Sequence, residues 1–257
     1  MTSNIMMKSI IFIFSIFFSF LDGYAQSKIF SGLVSTSIQR KNEYVIEVSL
    51  VSSDTLPSSA NLELASQSLT PLKSLITKKT SQSLTDSGGL WQTIYKTSFN
   101  LAAVPFLGDM PYLLGFRFSE PNLKDFFAEA TFYSSPISGS YNPLKIKPLL
   151  TVGTRKAQEL ADLNWLEASS DSLTFQLVKP KLSFKQINEA YFFPDDRKFC
   201  SDCSFRINTL TGRFEIKGTF RPGIYEIYVK VNRWSRSMGP KPLYLGNSVV
   251  KLTYTFL

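Results

Sequence analysis

Residues Tyr44-Val-Ile-Glu-Val-Ser-Leu50 set Tyr44, Ile46, Val48 and Leu50 on one side of an extended chain, with Glu47 and Ser49 on the other. Successive side chains of a strand point to opposite faces, so a period of two buries one face of a sheet and does not fit a helix. The pattern returns in Leu173, Phe175 and Leu177 and in Tyr225, Ile227, Val229 and Val231. It returns again at the end of the chain, where Val250, Leu252, Tyr254 and Phe256 alternate with Lys251, Thr253 and Thr255. Runs of this kind, spread from one end of the chain to the other, predict an all-β protein.

Turn chemistry separates the runs. Arg40-Lys41-Asn42 follows a strand over Leu33 to Ile38, Asp86-Ser87-Gly88-Gly89 precedes one over Trp91 to Phe99, and Arg221-Pro222-Gly223 leads into the Ile224 strand. Phe205 to Lys217 reads as a hairpin turning through Thr209-Leu210-Thr211-Gly212, with Gly212 able to adopt the positive φ such a loop needs. Only Thr154 to Glu167 has apolar residues at helical spacing, and that stretch is short enough to be a loop with one turn.

The 257 residues include no histidine, which removes imidazole-dependent zinc sites and every Ser-His or Cys-His mechanism. Hydrophobic residues at 44% and charged residues at 19% are the composition of a folded chain. The net charge of +8 is carried mostly by single scattered cations (Lys28, Lys96, Arg117, Lys145, Lys251). A nucleic-acid-binding stripe would be clustered, so the charge reads as solubility plus weak attraction to acidic cell-surface polysaccharide or lipid.

Residues 1–25 carry a basic start ending at Lys8, an apolar run from Ser9 to Leu21, and Asp22-Gly23-Tyr24-Ala25 with small residues where a signal peptidase reads. That run is shorter than the roughly 20 residues needed to span a bilayer, so the sequence predicts export and a mature chain starting near Gln26. No cysteine follows the cleavage site for lipid attachment. The Ser134 to Pro148 stretch, SSPISGSYNPLKIKP, breaks the alternation. It predicts an N-terminal sandwich over 26–136, a linker over 137–147 and a second sandwich over 148–257, each near the usual seven-strand size.

In the second half, Asp171-Ser-Leu-Thr-Phe-Gln-Leu-Val-Lys-Pro180, Phe205-Arg-Ile-Asn-Thr-Leu-Thr-Gly212, Arg221-Pro-Gly-Ile-Tyr-Glu-Ile-Tyr-Val-Lys-Val231 and Leu245-Gly-Asn-Ser-Val-Val250 follow in order. With that spacing they resemble the immunoglobulin/cadherin-like antiparallel β-sandwich modules of exported Bacteroidetes proteins, including gliding-motility-associated surface proteins. The first half, with Gly32 to Val34 and Tyr44 to Leu50, is similar to a module that often precedes them. The resemblance implies two consecutive sandwiches and speaks to topology more than to chemistry. Where related modules carry a run of acidic residues, this chain has only Glu167 and Asp171, four apart across small residues. Calcium wants six to eight oxygens, so a tight site is not expected there. The relatives often end in a separate sorting domain, and the chain is expected to lack one.

Cys200-Ser201-Asp202-Cys203 holds the only two cysteines, and in an oxidising compartment they are expected to pair. Redox use of this pair would call for a strand-to-helix junction, whereas the flanks here are Asp195-Asp196-Arg197-Lys198 and the Phe205 strand. Arg233-Trp234-Ser235-Arg236 offers an indole between two arginines and is the first candidate binding patch; Asp195, Asp196 and Arg197 beside the cysteine loop are the second. Trp91 and Trp165 are expected to fill the core. No residue is singled out as catalytic, and no metal or cofactor is expected.

The function expected is that of an exported, non-catalytic adhesion, scaffold or assembly module at the bacterial envelope, in the periplasm, at the outer-membrane periphery or outside the cell. Its partner would be an envelope protein or a surface polysaccharide. A carbohydrate-binding or carbohydrate-active accessory protein is the alternative. An outer-membrane barrel is a third class, disfavoured because several strands look short or broken by Pro71, Pro105 and Pro111.

Overall fold

The computed structural model describes residues 29–40, 42–85, 89–105, 107, 110–123, 125–133, 150–153, 172–235 and 243–256. The predicted signal peptide, the 137–147 linker, the helical candidate at Thr154 to Glu167, Trp165, Asp171 and Arg236 lie outside these residues. Among the described residues there is no α-helix; one 3-10 turn, Leu101–Ala103, is capped by the Asn100 side chain. The protein is all-β.

Among the described residues the first half has seven strands: β1 (Ile29–Arg40), β2 (Glu43–Ser52), β3 (Ser59–Ser66), β4 (Pro71–Leu84), β5 (Trp91–Asn100), β6 (Tyr112–Arg117) and β7 (Phe127–Phe132). The second half contains β8 (Leu150–Gly153), β9 (Ser172–Leu177), β10 (Lys181–Ser183), β11 (Gln186–Ile187), β12 (Ser204–Ile207), β13 (Phe214–Lys217), β14 (Gly223–Ser235) and β15 (Leu243–Phe256). The predicted turns fall between them. Asn42 takes a φ of 66° between β1 and β2, Gly89 one of 76° before β5, and Gly212 one of 69° in the β12–β13 hairpin.

The main sheet runs β1-β2-β5-β4-β3-β6-β7-β15-β14-β9, and β15 also pairs with β1 at Gly32 opposite Lys251. Eight antiparallel strands therefore close on themselves into a barrel-like or sandwich-like body, while β14 and β9 continue from the far edge of β15. Strand length did not prevent closure. Pro71 begins β4 rather than interrupting it, and β1, β4, β14 and β15 run 12 to 14 residues. Proline at the first position of a strand removes no ladder hydrogen bond from its middle.

Alternation sorts the side chains of β2 as expected, whereas β15 is buried on both faces, Lys251 and Thr253 included. Tyr44, Ile46, Val48 and Leu50 of β2 are buried among Leu62, Leu64, Leu114 and an aromatic set that includes Tyr95, Phe116 and Phe132. Tyr112 stacks on Phe132 at 5.3 Å between ring centres, and Tyr95 meets Phe116 at 5.5 Å. A second apolar cluster joins Phe175, Ile227, Val229, Val231, Val250, Leu252, Tyr254 and Phe256. The β12–β13 hairpin lends it Phe205 and Phe214, so this half has a two-layered core.

The two clusters meet along β1 and β15. On β1 the neighbours Leu33 and Val34 are both buried, Leu33 in the second cluster and Val34 in the first, because adjacent side chains of a strand face opposite ways. β15 pairs with β7 over Gly246–Ser248 and with β1 at Lys251. The Thr253 hydroxyl donates to the Phe30 carbonyl at 2.7 Å. A further tie comes from the β10–β11 hairpin, where Lys181 bridges Glu129 at 2.8 Å and Phe184 meets Phe127 edge to face at 5.4 Å.

Candidate functional site

A long loop spans residues 188–203, between β11 and β12, and contains the second candidate patch. Its conformation follows from polar side chains that bond backbone amides. Asn188 Oδ1 accepts from Ala190 N at 3.1 Å, Asp196 Oδ1 accepts from Lys198 N at 3.0 Å, and the Asp196 carbonyl accepts from Phe199 N and Cys200 N. Such local bonds are what Asn and Asp supply in turns. Asp195 Oδ2 accepts from Phe205 N at 3.0 Å, anchoring the loop to the start of β12.

Cys200 and Cys203 form the expected disulfide, with Cα atoms 5.4 Å apart. Gly218 packs on the backbone of Asp202 and Cys203 with a φ of 87°, so the bridge rests against the end of β13. Asp202 lies beside both sulfurs, which are already bonded to each other and so are not thiolate ligands. At the other end of the loop the Tyr191 hydroxyl donates to the Glu226 carbonyl at 2.8 Å, and its ring meets Tyr228 edge to face at 5.6 Å. Burial, then the nearby Glu226 and Asp195 charges, push the Tyr191 hydroxyl well above its usual pKa.

Thus the Asp196 carboxylate is turned onto the loop's own backbone and the Asp195 carboxylate onto the backbone of β12. What faces solvent is different: Phe192 and Phe199 are each 40% exposed and meet edge to face at 5.6 Å. The Lys198 ammonium sits 4.5 Å from the Phe192 ring centre, a cation–π arrangement, and Arg197 beside it is exposed. Of these residues the sequence pointed to Arg197 alone. Phe192-Phe193-Pro194 next to Arg197-Lys198-Phe199 was the available signal, but an apolar pair in a β-protein reads first as core.

The first candidate patch has another character. Arg233 is buried on β14, opposite Leu173 of β9 and Gly246 of β15. Trp234 is half-buried: its indole N–H donates to Thr174 Oγ1 at 3.2 Å and its ring lies 4.9 Å from Tyr244. Asn232 Nδ2 also donates to Thr174 Oγ1, the Tyr244 hydroxyl donates to Asn232 Oδ1 at 3.2 Å, and Asn247 Nδ2 donates to the Tyr244 oxygen at 2.7 Å. These residues knit β9, β14 and β15 together. Of the other tryptophans, Trp91 is half-buried at the start of β5. Glu167 and Asp171, the residual calcium candidates, lie outside the described residues.

Two further features went unforeseen. Lys251, on the terminal strand, is buried, and its ammonium lies 2.6 Å from Glu226 Oε1 while Glu226 Oε2 accepts from the Tyr228 hydroxyl at 3.0 Å. Burial lowers the Lys251 pKa, and the Glu226 carboxylate partly offsets that. On the first half, Asn61, Glu63, Pro71, Leu72, Lys73, Ser74 and Arg117 line an open polar groove of about 480 Å³ on β3, β4 and β6.

Comparison with family models, with curated proteins and with solved structures finds no match to this chain.

Proposed function

We propose that this is an exported, non-catalytic adhesion, scaffold or assembly module of the bacterial envelope, working in the periplasm, at the outer-membrane periphery or outside the cell. The halves are read as two sandwich-type units, the second immunoglobulin/cadherin-like. Their separate apolar clusters support that reading, as does the β12–β13 hairpin laid over β9, β14 and β15. The observation that carries the functional reading is the 188–203 loop. It exposes Phe192, Arg197, Lys198 and Phe199 while Asp195, Asp196, Tyr191 and the Cys200–Cys203 bridge hold its backbone. Recognition residues on a loop fixed by a rigid scaffold lose little entropy on binding.

Outward polarity speaks for a water-facing body rather than a lipid-embedded barrel. On β4 the exposed positions Ser74, Lys78, Thr80, Ser81 and Ser83 outnumber the exposed apolar Ile76 and Leu84, whereas a membrane barrel keeps a continuous apolar band there. The polar groove beside Arg117 favours, as a second reading, a carbohydrate-binding accessory, since hydroxyl, amide and charged groups suit a sugar.

The test is binding of the full mature chain to isolated envelope fractions. A Phe192→Ala/Arg197→Ala/Phe199→Ala variant is expected to bind at least about tenfold more weakly, the scale of losing central aromatic and arginine contacts. Undiminished binding by that variant would overturn the loop's role, and loss on changing Asn61 and Arg117 instead would favour the groove.

A further inference from the structure

We propose that the 188–203 loop docks on an anionic phospholipid surface, its two phenylalanines entering the interface and its cations meeting lipid phosphates. The inference rests on the reading of that loop as the presented surface and names what it meets.

Three observations carry it. Phe192 and Phe199 are large apolar side chains with no polar tip to satisfy, both 40% exposed and side by side at 5.6 Å. An aromatic pair of that kind gains free energy wherever apolar surface leaves water, and the acyl–headgroup boundary is such a place. Arg197 and Lys198 lie between the two rings in sequence, with the Lys198 ammonium held over one of them. Lys217 adds a third exposed cation: it sits opposite Ser204 in the β12–β13 ladder, next to the glycine that packs on Asp202 and Cys203.

The acidic groups of the loop do not cancel this charge equally. Asp195 and Asp196 are engaged with the amides of Phe205 and Lys198, and the exposed Glu189 pairs with Lys179 at 3.4 Å, which leaves Asp202 as the exposed carboxylate at the bridge. The loop's carboxylates outnumber Arg197 and Lys198, so long-range attraction to an anionic surface comes from the net charge of +8 on the whole chain, and the exposed cations act as local contacts to phosphate. Aromatic side chains combined with neighbouring Lys and Arg form the ordinary interfacial anchor of a protein that lies on a membrane without crossing it.

Co-sedimentation of the mature, oxidised chain with vesicles tests the proposal. Vesicles of phosphatidylglycerol mixed with phosphatidylcholine are expected to carry the protein down, and phosphatidylcholine alone is not. Arg197→Glu/Lys198→Glu, at two exposed positions, should weaken anionic-vesicle binding by tenfold or more, and Phe192→Ser/Phe199→Ser should weaken it comparably with an unchanged melting temperature. Raising salt should weaken the wild type as well, by screening. Equal binding to both vesicle types, no binding to either, or charge-reversed variants that bind like wild type would overturn the proposal. So would complete competition by a soluble acidic polysaccharide such as alginate, which would assign the loop to sugar. A wild type that binds envelope fractions but not anionic vesicles removes the lipid alone; loop variants that bind envelope fractions like wild type remove the loop's role.

Discussion

The Lys251 ammonium lies 2.6 Å from Glu226 Oε1 across the β14–β15 ladder, yet the two ends of this pair live in different surroundings: Lys251 is 4% exposed and the Glu226 side chain 37%. The cost of taking charge out of water therefore falls mainly on the lysine, and Glu226 is what offsets it.

Removing either partner should have unequal effects. Glu226→Ala strands a buried ammonium without its carboxylate and should cost about 3–5 kcal/mol. Lys251→Met replaces a desolvated charge with an apolar chain, while Glu226 keeps its Tyr228 contact and access to water, so the loss should be smaller, about 1–2 kcal/mol or less. Urea denaturation of the two variants decides it, and equal losses would contradict the assignment.

Gly246 is the tightest point of the join between β15 and β7. Its φ is 133°, and a Cβ there would overlap the Thr131 carbonyl, a backbone group that has no rotamer to yield. Gly246→Ala should cost about 1–3 kcal/mol or more through strain and displacement, read as a fall in denaturation midpoint. Gly89→Ala, whose φ is also positive but which has open space around it, should cost less.

Stability should fall in alkali. Burial above all, then nearby carboxylates, raise the hydroxyl pKa values of Tyr95, Tyr191 and Tyr228 above 10.0. A group whose folded pKa is raised contributes stability in full below its unfolded value and loses it as pH rises through the folded one. Lys251 acts oppositely. Its folded pKa is lowered from 10.5, so its burial cost is full below the folded value and disappears as pH climbs to 10.5. Above 10.5 the tyrosines act alone among these groups, and melting temperature should drop steadily there. Tyr228→Phe should make that drop shallower whatever it does to stability at neutral pH.

The disulfide closes so short a loop that chain entropy gives it only about 2 kcal/mol at most. Cys200→Ser/Cys203→Ser should thus change the global melting temperature modestly. Its effect should appear locally, as faster tryptic cleavage after Arg197 and Lys198 in limited proteolysis.

Strands and turns were readable because each follows from nearby chemistry: period-two burial in β2 and β14, the alternating residue types of β15, and the positive-φ positions at Asn42, Gly89 and Gly212. Beyond the Phe205 to Lys217 hairpin, which strands pair was not readable, since hydrophobic alternation says that a face is buried and not what covers it. Lys251 shows the limit. It occupies the polar phase of its strand, the phase expected to meet solvent, but β1 pairs with β15 there and Tyr228 of β14 lies opposite, so the lysine is enclosed. Cys200–Cys203 was legible from its short spacing together with the expected export. Asp195 and Asp196 looked like ligand-facing groups, and only the amides of Phe205 and Lys198 reveal that they hold the loop while Phe192 and Phe199 face outward.

The account depends most on β1 belonging to both cores and on β15 of the second core pairing with β1 and β7, so that neither half unfolds without the other. Trp91 lies in the first half and Trp234 in the second, which allows one reporter in each. In a Trp165→Phe background, Trp234→Phe leaves Trp91 as the sole fluorophore and Trp91→Phe leaves Trp234. Urea unfolding followed by tryptophan emission should give each half the same midpoint once each variant is corrected by far-ultraviolet circular dichroism on the same sample. Two separate transitions, with one half melting while the other keeps its native emission, would contradict the account.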